Sequence, residues 1–307
     1  MISVFHPGEL AAQAKAGLSA EAERVGGIVR TTVPPAAADF LTEQSMLVIG
    51  GGDEQGRVWA SLLTGAPGFL RAGAVAAGDV GETAVVDIAA HPLPSDPLAA
   101  ALAHQARIGA IAIDPSTRRR MRINGLAGPT AAGLRLTAEQ VYSNCPKYIQ
   151  RRDLESVRPD GPGRVATVHN TFDAAARQMI IEADTFFIAT VSATGDYDAS
   201  HRGGNPGFVT IDRDGTLVWP DYRGNAMMMT LGNLEQNPAA GLLFVDWSTG
   251  TTLQLTGTAR VEWGHPERPI RFSIAAVHRT ELASPLSWSE PEYSRFNPSG
   301  GAPFVGR

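Results

Sequence analysis

The chain is poor in cysteine, with Cys145 the only one among 307 residues. A single thiol excludes an internal disulfide, a CxxC zinc site and an iron–sulfur cluster held by this chain alone. Long apolar runs are missing as well. No segment approaches eighteen apolar residues, and no basic stretch followed by an apolar one opens the chain, so neither a membrane span nor a signal peptide is expected. The expected setting is the cytoplasm. There is no excess of positive charge either: a formal net charge of -5 argues against a nucleic-acid partner, yet leaves room for a local basic cluster serving one anionic ligand. P-loop, HExxH and GxSxG motifs are all absent. Leu47-Val48-Ile49-Gly50-Gly51-Gly52 has the glycines of a dinucleotide turn after an apolar strand, but Gly56-Arg57-Val58-Trp59 returns as a strand with no helix between. That excludes a Rossmann unit.

What is present describes a globular chain of about two domains, 43% hydrophobic and near-neutral in mean hydropathy at -0.07. An internal repeat divides it. Glu43 to Phe69 lies on Glu182 to Phe208 at a constant offset of 139, with Ser61 on Ser200. Further on the offset is 132: Gly109 to Asp114 lies on Gly241 to Asp246, and Met121 to Ala127 on Leu253 to Ala259. An ordered series of this kind predicts two copies of one domain. The expected layout is an N-terminal helical segment over 1–38, a first domain with a connecting helix over 39–157, a second domain over 165–290, and a tail over 291–307, rich in Pro, Gly and Ser, that is either mobile or a lid.

The second copy reads as six or so short strands with hairpin turns and helical inserts, which suggests a small antiparallel barrel. Asn170 or Thr171 is expected to cap its first helix, and Gly257 falls in mid-strand, where a bulge or barrel bend is the usual meaning. Between the copies, Thr137-Ala138-Glu139-Gln140 has a capping-box pattern. Pro146 is placed to start a helix that would set Lys147 and Arg151 one turn apart.

The most informative stretch is Pro220-Asp221-Tyr222-Arg223-Gly224-Asn225. Thr216-Leu217-Val218-Trp219 runs into it as a strand, and a helix beginning Asn225-Ala226-Met227-Met228 is expected to leave it. An arginine beside a helix N-terminus suits an anion, phosphate above all. The same residues also fit an ordinary turn with an exposed arginine.

Taken in order, Asp198-Ala199-Ser200-His201-Arg202-Gly203-Gly204, Pro206-Gly207-Phe208-Val209, the Pro-Asp-Tyr-Arg-Gly-Asn loop, Asn233-Leu234 and Leu255-Thr256-Gly257-Thr258-Ala259 resemble the pyridoxamine 5'-phosphate oxidase-like, FMN-binding split-barrel family. The resemblance covers most of 170–263 and, more weakly, 39–128. Cys145 to Arg152 resembles a segment of tandem members. The resemblance implies a mostly β chain with flanking helices: two tandem antiparallel split β-barrels forming an internal pseudo-dimer, free to pair again as a homodimer. It implies FMN in the cleft between barrels, with a small-molecule substrate or redox partner. Comparing the copies then suggests one surviving site. Copy two offers Ser200, His201, Arg202, Phe208, Asp221, Arg223 and Asn225; copy one has Leu62, Leu63 and Leu93 to Leu98 there. On the closing strand the bias reverses, with Arg118, Arg119, Arg120 and Arg122 facing Gly250, Thr251, Thr252 and Gln254. The expected composite site therefore joins Arg202 and Arg223 to Arg122, with Lys147 or Arg151.

Each candidate has an ordinary structural alternative. The arginine run also fits a solvated strand end, although alternation puts Arg118, Arg120 and Arg122 on one face. His201 either meets the flavin ring or points to solvent. Met227, Met228 and Met229 fit core filling, Cys145 fits packing near the cleft, and Trp59 fits either a substrate cover or a core position. The expected activity is an FMN-dependent oxidoreductase. The alternatives are a flavin carrier without turnover, or a deazaflavin- or haem-binding member of the same superfamily.

Overall fold

The computed structural model describes residues 4–76, 82–143, 145–158, 168–224, 226–265 and 267–298. Three helices come first: α1 (Pro7–Ala16), α2 (Ser19–Gly26) and α3 (Pro35–Thr42). Seven strands follow: β1 (Met46–Gly52), β2 (Val58–Thr64), β3 (Leu70–Ala76), β4 (Glu82–Ile88), β5 (Ala106–Asp114), β6 (Arg119–Thr130) and β7 (Gly133–Ser143). After the connecting strands β8 (Leu154–Val157) and β9 (Val168–His169) and the helix α4 (Ala174–Glu182), the pattern repeats. It runs through β10 (Thr185–Val191), β11 (Tyr197–Gly203), β12 (Thr210–Ile211), β13 (Leu217–Trp219), helix α5 (Met229–Gln236), β14 (Ala239–Val245), β15 (Thr252–Val261) and β16 (Ile270–Thr280). Strand β17 (Leu286–Trp288) returns to pair with β8.

The two sheets have one topology. The first runs β2-β1-β5-β6-β7-β4-β3, and the second runs β11-β10-β14-β15-β16-β13-β12, which is the same order moved along the chain. Neighbouring strands on both paths pair antiparallel. Even the irregularity repeats, with register shifts between Asn124 and Gly125 in β6 and between Thr256 and Gly257 in β15. The fold is the expected one, mostly β and built as split half-barrels.

Alternation along the strands divides the core three ways. Leu47 and Ile49 of β1 point into the first barrel, while Met46 and Val48 join the layer between the barrels. Phe186 and Ile188 of β10 fill the second barrel, and Phe187 and Ala189 face the first. These strands are buried on both faces, so they read as continuous apolar runs. Each fully buried Phe or Leu contributes about 1.5–3 kcal/mol. Glycines set the spacing: a Cβ at Gly109 would lie 2.5 Å from the Asp198 Cα, and one at the repeat-equivalent Gly241 would lie 2.6 Å from the Trp59 Cα. Backbone thus approaches backbone at two related points.

Several local expectations give way to tertiary context. Thr137 to Gln140 lie inside β7, because their pairing with β6 and β4 outweighs a four-residue capping signal. No helix starts at Pro146: Tyr148 takes a positive φ of 64°, and the chain runs irregularly to an isolated bridge between Arg151 and Glu292. The cap of α4 is Asp173, whose Oδ1 accepts from the Ala176 N–H at 2.8 Å, rather than Asn170 or Thr171. Helix α5 begins at Met229, four residues later than expected, because Ala226 and Met228 hold φ of 65° and 60°. Asn225 lies outside the described residues.

Candidate functional site

Strand β6 alternates its arginines between two environments. Arg119 lies over the Phe40 ring at 4.8 Å on the first-barrel side. Arg120 and Arg122 face the second barrel and line a cleft with Ser200, His201 and Arg202 of β11, with Pro220, Asp221, Tyr222 and Gly224, and with the 226–231 segment; its empty space, counted to the open mouth, is about 880 Å³. The cleft is therefore composite, with cations supplied from both copies.

The three guanidinium groups are not equivalent. Arg122 is nearly fully buried and fully engaged: its Nε donates to the Ala199 carbonyl at 2.6 Å, its Nη2 bonds the Ser200 hydroxyl, and the same nitrogen lies 2.5 Å from the Asp198 carboxylate. Its charge is thus balanced within the protein. Arg120 meets no carboxylate among the described residues. It donates to the Cys145 carbonyl at 2.7 Å and to His201 Nδ1 at 3.0 Å, and its Nε is buried without an acceptor. Burial, and then Arg122 and Arg202, lower its pKa to about 9. Arg202 donates one bond to the His201 carbonyl at 3.1 Å, and its Nε is likewise without an acceptor. Burial lowers its pKa too, with Asp221 opposing and Arg122 reinforcing the shift.

His201 is buried against the Phe187 ring edge. A guanidinium can only donate, so Nδ1 must accept from Arg120 and the proton of the neutral ring sits on Nε2. That Nε2 is buried and has no partner. Burial, with Arg120 and Arg202 behind it, holds this imidazole well below its ordinary pKa. The cleft therefore gathers three buried N–H donors without acceptors, on Arg120, Arg202 and His201, beside two cations that form no salt bridge among the described residues.

The other expected residues fall into three groups. Ser200 and Phe208 line the cleft; the Ser200 hydroxyl also meets Thr230 Oγ1 at 2.8 Å, and Phe208 stacks on Phe186 at 5.7 Å. Asp221 lines it as well but pairs with Arg268 at 3.1 Å, its pKa raised by burial and held back by Arg202 and Arg268. Arg223, Lys147 and Arg151 are not brought into the cleft. Arg223 is 70% exposed and pairs with Glu21 of α2 at 3.0 Å. Lys147 lies over the Phe296 ring at 5.7 Å, and Arg151 pairs with Asp153 at 2.9 Å. Without the helix expected after Pro146, Lys147 and Arg151 turn toward the C-terminal segment, whose Asn297 bonds Gln150 and Asn205.

Sequence reasoning underweighted Arg120, whose position two residues before Arg122 was the available signal. It missed Asp198, the residue that neutralises Arg122. It also missed Tyr148, whose hydroxyl donates to the Arg223 carbonyl at 3.2 Å and whose ring meets Tyr222 at 5.1 Å.

The repeat-related cleft lacks the cations. Gln254 stands where Arg122 stands, and its Nε2 bonds the Ala60 carbonyl, the Ser61 hydroxyl and Asp96 Oδ2, each at 3.0 Å. Asp96 is a buried carboxyl with a raised pKa, because burial outweighs its bonds from Ser61, Leu98 and Gln254. It occupies the Leu93 to Leu98 stretch that replaces the cationic loop. A carboxyl at that position repels a phosphate.

Residues 172–281 match the family model described as Pyridoxamine 5'-phosphate oxidase. No curated protein sequence matches the chain. Solved structures similar to it include HupZ of Group A Streptococcus, at 16% identity, 35% of this chain, 92% of that one and a TM-score of 0.29. The FAD binding protein from Mycobacterium smegmatis aligns at 11% identity over 38% of this chain and 98% of its own, with a TM-score of 0.27. HutZ, the haem storage protein from Vibrio cholerae, aligns at 11% identity over 40% and 96%, with a TM-score of 0.25.

Proposed function

The second barrel, residues 172–281, belongs to the pyridoxamine 5'-phosphate oxidase family, and from that premise we propose that the chain is an FMN-binding oxidoreductase with one cofactor site, in the cleft between its barrels. The observation that carries this reading is the pair of buried cations, Arg120 and Arg202, that form no salt bridge among the described residues and keep unpartnered N–H groups. Arg120, whose pKa is lowered by burial and by the neighbouring Arg122 and Arg202, is a buried charge that costs stability, and a dianionic phosphate relieves that cost. The residues present fit such a group. Arg120 and Arg202 would hold the phosphate, with Arg122 tying β6 of one sheet to β11 of the other through Ala199, Ser200 and Asp198. His201, neutral and protonated on Nε2, would offer one hydrogen bond to an acceptor on the ring edge. Bound FMN supplies hydride and one-electron transfer, which protein side chains do not. The chain's own contribution is to bind, to orient and to keep water from the charged cluster.

The imidazole tautomer favours flavin over haem. A haem iron takes the lone pair of a ring nitrogen, and His201 has one nitrogen accepting from Arg120 and a proton on the other. The deciding experiment is the absorption spectrum of the purified protein, followed by titration of the apoprotein with FMN and with riboflavin. FMN should bind at least about tenfold more tightly, since charge-assisted bonds to phosphate are worth roughly 1.5–3 kcal/mol each. Equal affinity for riboflavin, or a haem spectrum, would overturn the reading. Reduction by NADH or NADPH without air, followed by admission of air, separates an enzyme from a carrier.

A further inference from the structure

Among the described residues the two sheet paths end in the edge strands β2, β3, β11 and β12, and all but one of these are covered. Strands β2 and β11 lie against the opposite barrel: a Cβ at Gly241 would come within 2.6 Å of the Trp59 Cα, and Arg122 bonds the Ala199 carbonyl. Strand β12 is two residues long, half-buried and flanked by α4. Its counterpart in the first sheet, β3, runs for seven residues and exposes Arg71 and Gly73 to Ala76.

The register of β3 shows what its open side offers. The Ala89 N–H donates to the Phe69 carbonyl at 2.7 Å, and the pairing of β3 with β4 continues from there without a shift. In an antiparallel ladder successive residues bond to alternate sides. Arg71, Gly73 and Val75 therefore bond toward β4. Ala72, Ala74 and Ala76 turn their N–H and C=O groups outward, where they meet no backbone partner among the described residues. An unpaired edge is a template for another strand, and proteins usually block it with a charge, a proline or a bulge. From Ala72 to Ala76 there is none of these. The nearest charge is held back, since the Arg71 Nε donates to the Gly68 carbonyl at 3.0 Å.

The occupant that fits is the same strand of a second copy. Two-fold pairing about Ala74 sets that residue on itself and Ala72 on the partner's Ala76, so each outward N–H meets an outward C=O. Val75, the large apolar side chain exposed on this strand, then stands opposite the partner's Gly73, which has no side chain to obstruct it.

We propose that β3 is a self-association edge, through which two copies of the chain pair antiparallel about Ala74 and join their first sheets into one. The proposal does not depend on the flavin reading, and β3 shares no residue with the cleft. Edge pairing of this length buries less than the roughly 1,200–2,000 Å² of a stable interface, so the dimer should be weak and concentration-dependent.

Sedimentation velocity of the full-length protein from about 5 to 500 μM covers the range of such association. The wild type should pass from monomer to dimer. Ala74→Pro removes the central donor of both copies without touching the β4 ladder, and it should raise the dissociation constant at least about tenfold at an unchanged thermal midpoint. Where proline lowers the midpoint, Ala74→Lys carries the test, because it sets like charges opposite each other at an exposed position. In a Cys145→Ala background, mild oxidation should cross-link Ala74→Cys and not Val75→Cys, since residue 74 alone meets itself across the two-fold. A chain that stays monomeric throughout, its edge empty or taken by an extended peptide, overturns self-pairing. A dimer that survives both Ala74 variants overturns the edge. Cross-linking through Val75→Cys overturns the register.

Discussion

Arg122 and Gln254 hold equivalent positions in β6 and β15, and each reaches across the barrel interface to make the same two bonds. Arg122 takes the Ala199 carbonyl and the Ser200 hydroxyl; Gln254 takes the repeat-related Ala60 carbonyl and Ser61 hydroxyl. The difference is the third contact. Arg122 meets the carboxylate of Asp198, whose repeat partner is the uncharged Trp59, whereas Gln254 meets Asp96 of the 93–98 stretch.

This relationship predicts a compensating pair. Arg122→Gln should keep the two shared bonds but strand Asp198 as a buried carboxylate, costing about 3–5 kcal/mol. Adding Asp198→Asn should restore most of that loss. Denaturant unfolding of the wild type, both single variants and the double variant closes the cycle. A double variant no more stable than Arg122→Gln would show that the pair is not coupled.

Arg120→Met separates binding from folding. It removes a cation with no carboxylate partner, so the apoprotein should change by no more than about 1 kcal/mol. FMN affinity should fall roughly tenfold to a hundredfold, read by flavin fluorescence.

The same residue sets an alkaline limit. With Arg120 lowered to about 9, FMN affinity should hold up to that pH and fall above it. Stability of the apoprotein should move the other way. Above pH 9 the unfolded chain still binds that proton and the folded one does not, so stability rises with pH across the window. Affinity and stability measured from pH 8 to pH 10 should therefore diverge.

Arg223→Ala should do little to stability. Its ion pair with Glu21 is largely exposed, and such pairs contribute at most about 1 kcal/mol. Its effect on FMN affinity should be smaller than that of Arg120→Met; a larger effect would show that Arg223 leaves Glu21 and enters the cleft when ligand binds.

Glu9 gives α1 its own pH response. Burial raises this carboxyl to about 8, against the backbone bond from His6, with Asp198 adding to the rise and Arg122 opposing it. A raised carboxyl stabilises fully below its unfolded pKa near 4.5 and loses that contribution as pH rises through about 8. The docking of α1 should weaken from pH 5 to pH 8 by a few kcal/mol at most, and Glu9→Gln should flatten the trend. Proteolysis rates of the N-terminal segment across that range report it.

The repeat and the strands were legible because period-two burial on two faces writes itself into the sequence as apolar runs at fixed offsets. Short-range helix signals were less faithful: the capping pattern at Thr137 to Gln140 lost to cross-strand pairing, which four residues cannot reveal. Within the site, the cations of β6 were visible from alternation and that of β11 from the comparison of the two copies. Which of them stay unpaired was not, because Asp198 meets Arg122 only across the barrel interface and Glu21 meets Arg223 only through the packing of α2. Charge balance is a tertiary property, and one copy of a motif does not contain it.

The close approach of Gly109 to Asp198 and of Gly241 to Trp59 has a mechanical consequence. Two sheets in backbone contact at repeat-related points hold the barrels at one close spacing, and a side chain larger than hydrogen at Gly109 or Gly241 would push them apart. The stretch around Met227 lines the cleft, with left-handed residues on either side, and α1 holds it through Gln13, which bonds the Met227 carbonyl at 3.1 Å. On the function proposed above, substitution of Gln13 would loosen that stretch while leaving the spacing of the two sheets and the cations of β6 and β11 in place.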